Sequence, residues 1–126
     1  MIELKVEKGL LFCDILVKYD GKELNLSNVL VDTGSGGIIF KTDVVEKIGI
    51  VMEPNDPIEV IRGVGGSEFV FIKELEAIEI DGITISDFQA EIGAMNYGIE
   101  MEGIIGLDLL MRLGVKIDLE SLQIYK

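Results

Sequence analysis

The chain has 126 residues, the size of one domain with a hydrophobic core. Its 48% hydrophobic content predicts a globular protein, and its apolar runs are far shorter than the ~20 residues that cross a bilayer. The formal net charge is -12, because 23 acidic residues outnumber 11 basic ones. Phosphate binding needs a basic face, so we expect no nucleic acid among the partners. The short apolar runs lead us to expect no membrane among them either.

Histidine and cysteine content narrows the chemistry further. The absence of histidine excludes a Ser-His-Asp triad, a Cys-His pair and a His-ligated zinc site. Acid–base chemistry must then come from carboxylates, Lys or Tyr. The single cysteine, Cys13, lies in an alternating apolar segment and is interpreted as a buried thiol in a reducing compartment. The charged N-terminus, MIELK, lacks a signal-peptide pattern, which favours the cytoplasm.

The N-terminal half predicts a β-hairpin and a helix. Residues 11–19 alternate between the two phases of a strand, and Asp20-Gly21 predicts a tight turn into a second strand over 23–31. A short helix follows, with Thr42 or Asp43 as its cap and Gly49 as its end.

The C-terminal half predicts further strands and a second helix. Residues 58–62 and 67–72 flank Gly63-Val64-Gly65-Gly66, a spacing typical of a hairpin. Within 75–80 the alternation of hydrophobic residues shifts by one position along the strand, which predicts a β-bulge. The other predicted elements are a turn at Asp81-Gly82, strands over 83–92 and 115–125, the latter folded at Glu120-Ser121, and a helix that Asp108 caps and Gly114 ends. We expect one mostly β domain spanning residues 1–126.

The stretch NVLVDTGSGGIIF, residues 28–40, contains the strongest candidate for chemistry. It places the carboxylate of Asp32 at the end of an apolar run and follows it with Thr33, Gly34 and Ser35. A strand that ends on Asp and turns through glycines usually just enters a loop. The alternative is that the loop holds the carboxylate, and Gly34 fits it because a side chain there would block the approach of its N–H.

Three features occur in a fixed order: Asp32-Thr33-Gly34 after a hydrophobic strand, a glycine-tipped hairpin, and Ile104-Ile105-Gly106 before the last helix. This order resembles the retroviral-type (retropepsin-like) aspartic proteases, especially their small cellular and bacterial members. The resemblance covers about residues 11–125. It implies an all-β fold, a closed β-barrel with two short helices that forms one lobe per chain.

The resemblance also implies a mechanism. In aspartic proteases two neighbouring carboxylates share one proton, because two negative charges so close cannot both persist. The ionised partner activates a water and the protonated one donates to the peptide carbonyl, so no metal and no cofactor are expected. Thr33 would bond across to the partner loop. Ser35 departs from the retroviral form, which has Ala there; its hydroxyl is expected to donate to Asp32 and favour a more acidic working range.

The chain contains one Asp-Thr-Gly sequence, whereas an aspartic protease needs two aspartates. Asp20-Gly21 and Asp81-Gly82 are better explained as turns, and Asp108 as a helix cap. The second carboxylate must therefore come from a second chain, which predicts a homodimer with a twofold axis through the site. The chain termini build part of that interface in retroviral relatives, and for this chain the point stays open.

The glycine cluster Gly63, Val64, Gly65 and Gly66 has two interpretations. It is either a simple hairpin turn or a flap that covers a bound peptide and excludes water. Its position between the two signatures favours the flap. A phosphate-binding P-loop is disfavoured because no Lys-Ser/Thr and no helix follow.

Two function classes follow from this sequence. The first is a homodimeric aspartic endopeptidase that binds an extended peptide under the flap. The second is a catalytically silent protease-like module for peptide binding or dimerisation. The intact Asp32-Thr33-Gly34 favours the first. A nucleotide-binding loop of the Asp-x-Gly type is disfavoured, because no second phosphate loop is present.

Overall fold

The computed structural model describes residues 2–63 and 66–126. Its strands are β1 (Ile2–Glu3), β2 (Lys5–Glu7), β3 (Leu10–Tyr19), β4 (Lys22–Val31), β5 (Ile39–Lys41), β6 (Ile58–Gly63), β7 (Gly66–Ile80), β8 (Ile83–Gly93), β9 (Gly103–Ile105), β10 (Lys116–Asp118) and β11 (Gln123–Tyr125). The helices are α1 (Thr42–Val45), which continues as a 3-10 turn (Glu46–Ile48), and α2 (Leu107–Leu113).

Most strands belong to one curved sheet in the order β2-β3-β4-β9-β5-β8-β7-β6. An additional antiparallel pairing between β3 and β7 links the two arms of this sheet, so that six strands form a ring. Within the ring, the pairs β4–β9 and β5–β8 are parallel. The all-β prediction with two short helices is therefore confirmed.

The predicted turns and helix ends lie at residues with left-handed backbone. Asp20-Gly21 and Asp81-Gly82 join consecutive antiparallel strands, and all four residues have positive φ, between 49° and 76°. Such pairs match the twist of a tight hairpin. Gly49 and Gly114 follow the two helical segments with φ of +86° and +64°, as expected of glycine after a helix.

The predicted helix caps are wrong by one or two positions. Thr42 is the first residue of α1, and its N-cap is Lys41, which makes no capping bond through its side chain. The N-cap of α2 is Gly106, and Asp108 lies inside the first turn, where its carboxylate accepts a hydrogen bond from the N–H of Leu109. In both cases the N-cap is extended backbone at the end of a strand: Lys41 is the last residue of β5, and Gly106 directly follows β9.

The predicted bulge in β7 is also wrong. The pairing of β7 with β8 keeps one register from Phe71 to Ile80. Ala77 and Ile78 face opposite sides of the strand and both are buried, so the slip in hydrophobic phase marks a strand covered on both faces. The register shift lies instead between β3 and β4, where Asn28 has φ of +53°.

The buried side chains form two clusters. The larger one fills the barrel and includes Val17, Leu26, Phe40, Leu75 and Ile92. The second core cluster consists of Phe12, Leu30, Ile39, Val70, Met95 and Met101, with the partly buried Leu10, Ile61, Ile72 and Ile104 packed against it. It connects the β6–β7 hairpin to β4, β5 and β9, the strands that lead to and support residue 32.

A three-stranded sheet holds the two ends of the described chain together. Its order is β1-β11-β10, and all its pairings are antiparallel within one chain. The carboxylate of Asp118 accepts hydrogen bonds from the N–H groups of Glu120 and Ser121, which closes the turn predicted there. None of the described helices is long and apolar enough to cross a membrane.

Ion pairs to the buried Lys73 hold the segment before the β6–β7 hairpin. Lys73 on β7 is 5% exposed, and its ammonium donates to the carboxylates of Asp56, at 2.8 Å, and Glu53. Burial opposes the charge of Lys73, but these two bonds raise its pKa on balance. The same contact with Lys73, and the N–H of Glu53, lower the pKa of Asp56.

Replacing Lys73 with Met should lower the stability of the protein, because it removes the cation that the carboxylates of Asp56 and Glu53 share. Since the pKa of Asp56 lies below its ordinary value of 3.8, the wild type should lose this contribution as pH falls through the lower folded value, and the variant should show less acid sensitivity there. Thermal melts across pH measure both effects. Lys18→Met is the matched control, because Lys18 is partly exposed and its ion pairs with Glu23 and Glu79 are longer, at 3.6 and 3.8 Å.

Candidate active site

Asp32 directly follows β4, a strand of the six-stranded ring. β4 pairs in parallel with β9, and the N–H of Asp32 donates to the carbonyl of Ile105 at 3.0 Å, which continues that pairing by one residue. β9 is in turn paired with β5. The loop that follows Val31 is thus bounded on both sides by strands of the ring.

The Asp32 carboxylate is held by its own loop. The N–H of Gly34 donates to Oδ1 of Asp32 at 2.9 Å, and a Cβ at position 34 would lie 3.2 Å from the same oxygen. The N–H of Ser35 donates to the backbone carbonyl of Asp32 at 3.1 Å. Asp32 is half-buried, whereas Thr33 and Gly34 are exposed. The close approach expected of a glycine at this position is therefore present.

The predicted role of the Ser35 hydroxyl is wrong in this structure. Its Oγ donates to the backbone carbonyl of Gly37 at 2.9 Å, not to the carboxylate of Asp32. The hydroxyl closes the loop from 35 to 37 because that carbonyl lies two residues further along the same turn. The expectation of a more acidic working range rested on the other bond and loses its basis.

The residues at the start of α2 contact the loop over 32–37 and support it. The N–H of Leu107 donates to the carbonyl of Ser35 at 2.7 Å. A Cβ at Gly106 would lie 2.4 Å from the carbonyl oxygen of Gly37 and 2.8 Å from that of Ser35. Only glycine permits backbone to pack this closely on backbone. Gly106 is the last residue of the Ile104-Ile105-Gly106 motif that the sequence places before the last helix.

The predicted flap corresponds to the β6–β7 hairpin. Gly63 and Gly66 are paired with each other at the ends of the two strands. Val64 and Gly65, which were predicted to form the tip with them, lie outside the described residues. The hairpin is tied to the strands around Asp32 through Val70, a member of the second core cluster, and through Ile61, which packs against that cluster.

Glu91 is a residue that sequence reasoning missed. It lies on β8, and its N–H donates to the carbonyl of Ile38, just past the loop that contains Asp32. A Cβ at Gly37 would lie 2.9 Å from its carboxylate oxygen Oε1. Burial raises the pKa of Glu91, and the charges of Glu59, Asp108 and Glu68 raise it further. The one sequence signal was the second glycine of Gly36-Gly37, which leaves room for this carboxylate.

A tyrosine on the loop after β8 contacts the hairpin. The hydroxyl of Tyr97 donates to the carboxylate of Glu68, which also accepts a bond from the N–H of Met95 at 3.3 Å. Burial, this hydrogen bond and the charges of Glu68 and Glu91 all raise the pKa of Tyr97. Tyr97 therefore stays protonated and links the loop after β8 to the hairpin.

An apolar cavity of about 360 Å³ lies elsewhere, at the base of the hairpin. Its lining includes Met52, Ile58, Phe69 and Phe71, and contains no residue of the loop over 32–37. The surface around Asp32 in the single chain is thus distinct from this cavity.

Comparison with known proteins agrees with this geometry. A family model described as aspartyl protease matches residues 15–109. The fold is similar to the crystal structure of a retropepsin-like aspartic protease from Rickettsia conorii, with a TM-score of 0.69 over 98% of this chain and 87% of that chain, at 20% sequence identity. No curated protein matches the sequence.

The family model covers most of the chain, and the chain therefore belongs to the aspartyl protease family. Its fold is of the retropepsin-like type. It is accordingly a hydrolase of the aspartic peptidase class, and peptides are its substrate class.

Proposed function

We propose that the protein is a homodimeric aspartic endopeptidase, in which Asp32 of each chain supplies one carboxylate of the catalytic pair. The observation that carries this proposal is the bond from the Gly34 N–H to Oδ1 of Asp32, within a loop braced by Gly106. That loop holds a half-buried, partly accessible carboxylate in a chain of the aspartyl protease family.

The chemistry follows from sharing one proton between the two carboxylates. The ionised Asp32 takes a proton from a water molecule, whose oxygen attacks the carbonyl carbon of the peptide. The protonated Asp32 of the other chain donates to the carbonyl oxygen. When the tetrahedral intermediate collapses and the C–N bond breaks, the Asp32 that took the water proton gives it to the leaving amine, and the other Asp32 takes a proton back from a hydroxyl of the intermediate. These steps use oxygen acids only, and neither a metal nor a cofactor takes part.

The dimer is proposed because one chain contains one Asp-Thr-Gly loop. The exposure of Thr33 supports this, since its side chain is free to meet the same loop of a second chain across a twofold axis. We propose further that Gly63, Val64, Gly65 and Gly66 act as a flap over the bound peptide, and that residues 1–126 form a single peptidase domain.

The buried thiol supports a reducing compartment such as the cytoplasm. Burial, with a contribution from the charge of Asp14, raises the pKa of Cys13 to about 12, so the thiol stays protonated. A free, buried Cys13 is compatible with a cell compartment in which disulfides do not form.

A peptide library analysed by mass spectrometry tests the proposed function. The purified protein should cleave internal peptide bonds, and a statine-containing peptide should inhibit it. Chelators and thiol reagents should leave the rate unchanged, because no metal and no accessible cysteine takes part. Inhibition by a chelator would indicate a metallohydrolase instead. Statine binding without cleavage would favour the catalytically silent peptide-binding module.

A further inference from the structure

Glu91 occupies space directly beside the loop that contains Asp32. Its Oε1 lies where a side chain at residue 37 would have to be, so Gly37 and Glu91 are coupled sterically. The parallel pairing of β5 with β8 fixes this position by placing Glu91 opposite Ile39. The carboxylate is therefore aimed at the catalytic loop by two paired strands, and its place does not depend on a flexible segment.

The surroundings of Glu91 connect it to the surface under the hairpin. Its cross-strand neighbours are Ile39 on β5, a member of the second core cluster, and Ile72 on β7, which packs against that cluster. That cluster joins the hairpin to the strands around Asp32. A peptide held between the hairpin and Asp32 would pass over these side chains and meet the Glu91 carboxylate beside them.

The carboxylate of Glu91 has no cation as a partner in the described part of the chain. Among residues 2–63 and 66–126, no lysine or arginine forms a salt bridge with it. The charges that act on it come from Glu59 on β6, Glu68 on β7 and Asp108 on α2, and all are negative. A half-buried carboxylate among like charges is unfavourable for the folded chain, which is typical of a group retained for binding.

We propose that Glu91 is a specificity-determining residue that accepts a lysine or arginine side chain of the peptide substrate beside the catalytic loop. This inference rests on the proposed function, because it assumes that the peptide lies between the hairpin and Asp32. A basic side chain would give Glu91 the cation it lacks and form a charge-assisted hydrogen bond. The partly buried Ile72 beside Glu91 would contact the aliphatic stem.

The test compares peptides that differ only by charge. Peptides that contain either lysine or norleucine are scanned through each position around a cleaved bond, and kcat/KM is measured for wild type, Glu91→Gln and the control Glu74→Gln. Glu74 is exposed on β7 and lies away from the loop over 32–37. At one position the wild type should prefer lysine, and Glu91→Gln should reduce that preference by about tenfold or more. Glu74→Gln should not change it.

Stability and binding measurements keep the outcomes separate. Glu91→Gln should melt at or above the wild-type temperature, since it removes a charge that has no partner in the described chain.

If no peptide is cleaved, the same lysine and norleucine pair is measured for binding with a hydroxyethylene group in place of the scissile bond. A lysine preference in binding that depends on Glu91 supports the inference although the peptidase proposal fails. Cleavage with no lysine preference, or with one that Glu91→Gln leaves intact, overturns the inference alone, and the absence of both binding and cleavage overturns both.

Discussion

Replacing Asp32 with Asn should reduce peptide hydrolysis by about 10⁴-fold or more, because the amide can neither take a proton from water nor share one with the second chain. The fold should persist. The side-chain oxygen of Asn can still accept the bond from the N–H of Gly34, and the shape of the side chain is nearly the same. The measurement is kcat/KM on a cleaved peptide, with circular dichroism and thermal melting of the same preparations.

Asp43→Asn is the matched control for this variant. It makes the same chemical change at an exposed position in the first turn of α1 and should retain full activity. Hydrolysis by pure Asp32→Asn at the wild-type rate would contradict the aspartic peptidase mechanism at this residue.

Gly106→Ala should impair both stability and hydrolysis. The added methyl would lie 2.4 Å from the carbonyl oxygen of Gly37 and 2.7 Å from its carbonyl carbon, and backbone cannot move aside as a flexible side chain can. The loop that contains Asp32 must shift, at a cost of roughly 1–3 kcal/mol. Because a displacement of about 1 Å at a reacting group can cost about 10²-fold in rate, activity should fall further than stability alone would explain.

The stability of Gly36→Ala provides the comparison. A Cβ at Gly36 would have no neighbour within 4 Å, so a methyl added there, within the loop that contains Asp32, should leave the melting temperature nearly unchanged. If Gly106→Ala melts and cleaves like the wild type, the bracing of the catalytic loop by the start of α2 is not needed.

The parts of this fold that the sequence predicted depend on local signals. The turns at Asp20-Gly21 and Asp81-Gly82 use residue pairs that accept left-handed backbone, and the helix ends at Gly49 and Gly114 do the same. The geometry of Gly34 next to Asp32 is local as well, because two residues of one loop determine it.

The features that the sequence did not predict depend on contacts between distant segments. Glu91 reaches the loop over 32–37 only through the parallel pairing of β5 with β8, across about fifty residues of chain. Strands as short as β1 and β5 contain too few residues to show a period. The Ser35 hydroxyl had more than one acceptor in reach, and composition alone could not choose the Gly37 carbonyl.

The central claim is that two chains share one catalytic site, and mixing wild-type with Asp32→Asn chains tests it most directly. The chains are mixed at constant total concentration after dilution or refolding, so that they exchange freely, and the assembly state is measured by sedimentation. With about a tenfold excess of the variant, most wild-type chains pair with an Asp32→Asn chain, so activity per wild-type chain should fall roughly tenfold. Unchanged activity per wild-type chain, from a species that sediments as a monomer, would contradict the shared site.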